Sequence, residues 1–109
     1  MKVLTEGHKY ELAGFDNLEN TQTIQFIEKE PKKAPEGELL VTEELETVND
    51  GTTNEEVLAM LINRMQYLQG KFPCRENAIV ITKLEESLMW LNKRTADRKA
   101  RNVEGKAIA

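Results

Sequence analysis

The sequence predicts an α+β protein: N-terminal antiparallel β-strands, made of a hairpin and a third strand, then a two-helix hairpin with a long C-terminal helix, oligomerising through its helices. Three observations carry this expectation. The first fifty residues alternate β-prone runs with turn-forming residues. An amphipathic stripe begins just after Asn49-Asp50-Gly51, and a second stripe keeps a four-three spacing from Asn77 to Arg98. Residues 1–109 read as one domain, with a β-rich anchor over 1–50, helix one over 53–70, helix two over 75–101 and a tail over 102–109.

Residues 9–15 and 21–29 form the hairpin, because Asp16-Asn17-Leu18-Glu19-Asn20 between them is a turn composition. Residues 30–37 hold Pro31, Pro35 and several charges, which predicts an exposed loop. Residues 38–48 contain Leu39, Leu40, Val41, Leu45 and Val48, and part of this run is the third strand. Asn49-Asp50-Gly51 closes it as a turn.

Thr53-Asn54-Glu55-Glu56 has the form of a capping box at the start of helix one. Leu58, Leu61, Ile62, Met65 and Leu68 then recur at three- and four-residue intervals as one apolar stripe. Gly70 is placed to end the helix in a left-handed cap. Lys71-Phe72-Pro73-Cys74 connects to helix two.

The seam of helix two is Asn77, Ile81, Leu84, Leu88, Leu91, Thr95 and Arg98, an a/d heptad pattern made for helix pairing. At 1.5 Å per residue the helix is about 40 Å long. A compact globule of about 100 residues has a radius of gyration near 13 Å, or a diameter near 34 Å. Ala78, Ile79, Val80, Met89 and Trp90 add apolar surface outside the seam. Pairing with a helix from another copy follows as the expectation.

Composition narrows the function. Hydrophobic residues make up 39% and aromatics 6%, so the core is aliphatic and small. No apolar run is long enough to span a bilayer, and Met1 to Glu11 carries charges throughout, with no signal-peptide core. With one cysteine, Cys74, a disulfide within the chain is excluded. A cytoplasmic protein, not bound to membrane, is expected. The net charge of −4 conceals a division: residues 1–56 sum to −9 and residues 57–109 to +5. The basic half is where an anionic partner belongs.

The end of helix two is the strongest candidate site. Trp90, Arg94, Arg98 and Arg101 are spaced four, four and three, which gathers them near one helical face. Lys93, Lys99 and Lys106 surround them, and Asp97 and Glu104 are the nearby acids. Guanidinium forks match phosphate oxygens, and Trp90 offers a flat surface for a base. The alternative is that these arginines complement the helix C-terminus and pair with Asp97 or Glu104.

Other candidates are weaker. Arg75 opens helix two, where free amides attract anions, although ordinary capping around Cys74 explains the same residues. Asn77 is a polar residue on the seam, which either fixes register or reaches a ligand. Thr82 either lines a pocket or packs. Tyr67 and Phe72 flank the interhelical turn, where an aromatic stacks on a base or joins a satellite cluster. His8 has no partner identifiable in sequence, and no spacing pairs it or Cys74 into a nucleophile–base arrangement. No phosphate-binding glycine loop or metal-ligand spacing is present. The chain reads as a binding protein without catalysis, metal or cofactor.

The wording of helix two carries a resemblance. Phe72-Pro73-Cys74-Arg75-Glu76-Asn77-Ala78-Ile79, then Ile81-Thr82-Lys83-Leu84-Glu85-Glu86, and Met89-Trp90-Leu91-Asn92-Lys93-Arg94-Thr95 through Asp97-Arg98, resemble the phage Thoeris anti-defence family of the first type, related to the anti-CBASS cyclic-nucleotide sponges. Tyr10-Glu11-Leu12 and Thr21-Gln22-Thr23-Ile24-Gln25-Phe26-Ile27 fit the β-stranded anchor of the Thoeris branch. The resemblance implies a sponge that sequesters cyclic ADP-ribose isomers in the infected bacterial cell without cleaving them. It further implies dimers that build hexamers, and separate pockets for cyclic di- or trinucleotides. Carried over, Tyr67 stacks on a base, Asn77 and Arg94 contact the nucleotide, and Arg75, Arg98 and Arg101 meet phosphates. The tail departs from the family pattern Arg-Gly-Val-Glu-Gly-Thr, reading Arg101-Asn102-Val103-Glu104-Gly105-Lys106. Asn102 can take the left-handed conformation of a glycine, whereas Lys106 puts a charge where the family has a hydroxyl.

Two other readings use the same features. A nucleic-acid-binding module would use the basic ridge, against the overall acidity of the chain. A structural phage oligomer would use only the seam.

Overall fold

The structure, a computed structural model, describes residues 1–32 and 44–109. They fall into two compact units, Met1–Thr53 with Gly105–Ile108, and Asn54–Glu104 with Ala109.

In the first unit, β1 (Lys2–Thr5), β2 (Lys9–Leu12) and β3 (Gln22–Gln25) form a three-stranded sheet in that order, and β4 (Glu28–Pro31) pairs with β5 (Leu45–Asn49). All the strand pairs are antiparallel. The expected hairpin is β2–β3, in register from Lys9 opposite Gln25 to Leu12 opposite Gln22. β1 has no counterpart in the sequence reading. It is joined to β2 by a tight turn in which the His8 amide donates to the Thr5 carbonyl at 3.0 Å, with Gly7 at φ +77°. Only a residue free of a Cβ adopts that φ at low cost at the third position of such a turn.

The second run of the hairpin does not continue through residue 29. At Phe26 the chain changes partners: the Phe26 amide donates to the His8 carbonyl at 2.7 Å, and the Ile27 amide to the Thr52 carbonyl at 2.9 Å. Gly51 makes this crossing feasible, because a Cβ there would lie 2.5 Å from the Gln25 carbonyl oxygen. Tyr10 and Phe26 meet edge to face beside it, with ring centroids 5.9 Å apart. The loop expected over 30–37 is corrected at its start, since Glu30 and Pro31 belong to β4. Pro31 is the last residue of an edge strand, where a missing N–H is tolerated. Residues 33–37 of that loop, and 38–43 of the expected third strand, lie outside the described residues. The remainder of the third strand is β5, and Asn49 of the expected turn is its last residue. The single histidine finds a partner here: His8 Nε2 lies 3.7 Å from Glu28, whose other oxygen accepts from Asn49 Nδ2 at 2.7 Å.

The tail completes this unit. The Leu45 amide donates to the Gly105 carbonyl at 3.0 Å, and Glu44 bridges Lys106 in antiparallel fashion.

The second unit is a helical hairpin, α1 (Asn54–Lys71) and α2 (Arg75–Ala100). Glu55 and Glu56 occupy the first turn of α1, where their charge complements the free amides. Leu58, Ile62, Met65 and Leu68 are half-buried on its apolar stripe, while Leu61 is exposed. The expected left-handed cap at Gly70 is not formed. Gly70 is helical, and α1 runs on to Lys71, with the Phe72 amide still donating to the Leu68 carbonyl at 2.8 Å. The helix ends because Pro73 has no amide to donate.

The turn is fastened from the side. Gln69 donates through Nε2 to the Cys74 carbonyl at 3.1 Å and accepts from the Cys74 amide at 3.0 Å. Cys74 caps α2, its sulfur accepting from the Asn77 amide at 3.4 Å. Along α2 the half-buried residues are the six seam positions from Asn77 to Thr95, and Arg98 is buried; every other residue is exposed. No hydrophobic side chain among the described residues is buried. No helix among them is long and apolar enough to cross a membrane.

α2 ends in a Schellman arrangement. The Val103 amide donates to the Arg98 carbonyl at 3.0 Å and the Asn102 amide to the Lys99 carbonyl at 3.1 Å. Asn102 has φ +58°, the left-handed conformation expected of it.

Candidate ligand-binding site

Near the C-terminal end of α2, Trp90, Lys93, Arg94, Asp97 and Arg101 line an open cleft of about 260 Å³. At 100° per residue these five side chains fall within about 100° of arc, so the regular helix alone gathers them. Trp90 is 56% exposed and presents its ring to the cleft's surroundings rather than to a core. Lys93 Nζ lies 3.0 Å from Asp97 Oδ2, an i,i+4 pair in which both partners are exposed. Arg101 donates through Nη2 to the Ala109 carbonyl at 2.7 Å. The Arg94 side chain has no hydrogen bond or ion pair among the described residues. Three cations and one carboxylate leave the cleft with a net charge of +2.

Of the four ridge residues, three line this cleft and one does not. Arg98 is 5% exposed, with Nε donating to Glu104 at 3.1 Å and Nη2 to the Val103 carbonyl at 2.8 Å. Arg98 stands on the seam as well as on the ridge in sequence, and the seam position prevails. Lys93 and Asp97, which the sequence places around the ridge, are part of the cleft lining. The signal that could have placed them is their offset of three and seven residues from Trp90, which puts both on its side of the helix.

The remaining candidates lie toward the turn end of the hairpin. Tyr67 is 57% exposed, with Lys71 Nζ 5.3 Å from its ring centroid. Phe72 is 73% exposed in the connector, and Arg75 is exposed at the first position of α2. Asn77 is half-buried, and the Thr82 hydroxyl donates to the Ala78 carbonyl at 3.1 Å. Seventeen residues of α2 separate Asn77 from Arg94, about 25 Å of helix. Within one chain, therefore, the candidates form two groups rather than one pocket. Among the described residues no group of three or more His, Cys, Asp or Glu could hold a metal ion.

A helical hairpin bearing an aromatic and guanidinium-lined cleft, attached to a small β unit, is the plan of a hairpin module with a positively charged cleft. Residues 23–96 match the family model described as the Acb2/Tad1 hairpin domain. The chain belongs to that family. The protein named "Thoeris anti-defense 1" of Bacillus phage SBSphiJ7 is 63% identical over 57 residues, which cover 51% of this chain and 40% of that relative. The match thus spans well under half of the relative's length.

Proposed function

We propose that this protein is an anti-defence sponge that binds and sequesters cyclic ADP-ribose-type signals of the Thoeris system inside the infected cell, without cleaving them. The observation that carries the reading is the Trp90–Arg94–Arg101 cleft, in which a ring for stacking stands beside a guanidinium that has no partner among the described residues. Family membership and the name of the relative support it. Charge-assisted hydrogen bonds contribute about 1.5–3 kcal/mol each, so a few of them with one stacked base reach the range of a tight small-ligand complex.

The same reading calls for more than one copy. A cleft of about 260 Å³ falls just below the roughly 300–1,000 Å³ of small-molecule sites, so a second copy would complete the enclosure. Antiparallel pairing of two α2 helices would bring Asn77 and Thr82 of one copy toward Arg94 of another. It would also cover Met89 and Trp90, each more than half exposed in the single chain. Dimers assembling into hexamers are proposed on that basis. Arg75, Tyr67 and Phe72 are proposed as further contacts, and cyclic di- or trinucleotides as additional ligands.

Titration calorimetry of the full chain with a cyclic ADP-ribose isomer, followed by heat denaturation and recovery of the ligand, tests the proposal. Saturable binding with intact ligand released is the expected result. Absence of binding, or release of a hydrolysed product, would overturn it.

A further inference from the structure

We infer that Asp97 sets the selectivity of the cleft, admitting nucleotides that present a sugar hydroxyl beside their phosphate and turning away terminal polyphosphates. This rests on the reading of the cleft as a nucleotide site and adds to it the class of ligand admitted. Of the five lining residues Asp97 alone is acidic, which is unexpected in a cleft meant for anions in general.

Both its side chain and its backbone have partners. Lys93 Nζ holds Oδ2 at 3.0 Å, and the Asp97 carbonyl accepts from the Arg101 amide at 3.1 Å within the last turn of α2. An ionised carboxylate only accepts hydrogen bonds, so a ligand atom meeting its remaining oxygen must carry a hydrogen. A ribose hydroxyl does so, and an ionised phosphate oxygen does not.

Sequence spacing makes this decisive. Arg94, Asp97 and Arg101 stand at i, i+3 and i+7, so the acid lies between the two guanidiniums along the helix, with rises of about 4.5 and 6 Å. A phosphate chain long enough to engage both arginines must pass the carboxylate. A ligand that places phosphate on one guanidinium and a hydroxyl on Asp97 satisfies both groups. With Lys93 neutralised by Asp97, the two arginines match two singly ionised phosphate groups and leave the extra charge of a terminal triphosphate uncompensated.

The test is calorimetric titration of the full chain with ADP-ribose and with ATP as probes, in metal-free buffer, for the wild type, Asp97→Asn, Asp97→Glu and Lys93→Gln. The wild type should prefer ADP-ribose. Asp97→Asn should shift the ratio of the two affinities toward ATP by about tenfold, because a like-charge clash is removed. Asp97→Glu should restore the preference, and Lys93→Gln, which keeps the carboxylate and frees it, should sharpen it. A wild type that binds neither probe would remove the nucleotide site and the inference with it. A wild type that prefers ADP-ribose, with Asp97→Asn at an unchanged ratio or Lys93→Gln at a lower one, would overturn the role of Asp97 while leaving the site intact.

Discussion

Arg98 donates through Nε to Glu104 Oε2 at 3.1 Å, from a position 5% exposed, while its Nη2 holds the Val103 carbonyl. One guanidinium thus closes the turn that ends α2. Arg98→Ala should lower stability by about 2–4 kcal/mol, since charge-assisted bonds and their buried setting are lost together. Glu104→Gln keeps an acceptor but leaves the buried guanidinium charge uncompensated, and should cost about 1–3 kcal/mol. Urea unfolding of the two variants measures both losses, and a negligible effect of either would mean that the clasp is not the source of stability.

Gly51 and Gly70 should respond oppositely to alanine. A Cβ at Gly51 meets the Gln25 carbonyl oxygen at 2.5 Å, and the Phe26 carbonyl carbon at 2.6 Å. At Gly70, in the last turn of α1, nothing lies within 4 Å. Gly51→Ala is expected to destabilise by about 1–3 kcal/mol. Gly70→Ala is expected to stabilise by about 0.5–1 kcal/mol through helix propensity. Thermal melting of both variants reads the sign directly.

Gln69 crosses the interhelical turn with two hydrogen bonds to the Cys74 backbone. Because the site is exposed, Gln69→Ala should cost only about 1 kcal/mol. Amide hydrogen exchange should accelerate first at Cys74, whose N–H loses its acceptor. Unchanged protection there would count against the clasp.

Arg94 is the cleft guanidinium without a partner among the described residues, so its loss should fall on binding rather than on folding. Arg94→Ala should weaken capture of a cyclic ADP-ribose isomer by about 10–100-fold, the equivalent of one charge-assisted bond, with the melting temperature unchanged. Full affinity in this variant would remove the ridge from the site.

The helices were legible because their apolar spacing is an averaged signal over many turns. Along α2 the seam read from sequence and the less exposed residues coincide from Asn77 to Arg98. The β unit was less legible because its strands are four or five residues long. In β1 the turn signal was Glu6-Gly7, a single glycine. In β4 the proline that usually signals a loop was tolerated at a strand's edge. Gly70 misled for a related reason: a glycine permits a left-handed cap but does not impose one, and Pro73 already ends the helix. The site was legible as a composition of residues but not as an arrangement. Arg98 satisfied two periodicities at once, and only packing could decide between them.

The Leu45–Gly105 hydrogen bond joins positions sixty residues apart in the chain. During synthesis, β5 leaves the ribosome long before its tail neighbour has been made, while the contacts between α1 and α2 are closer in sequence and close sooner. The hairpin can therefore form first, and β5 must wait for Gly105 and Lys106 before its last pairing is made. Until then that strand edge lacks its tail partner, and translation speed through α2 sets how long the exposure lasts.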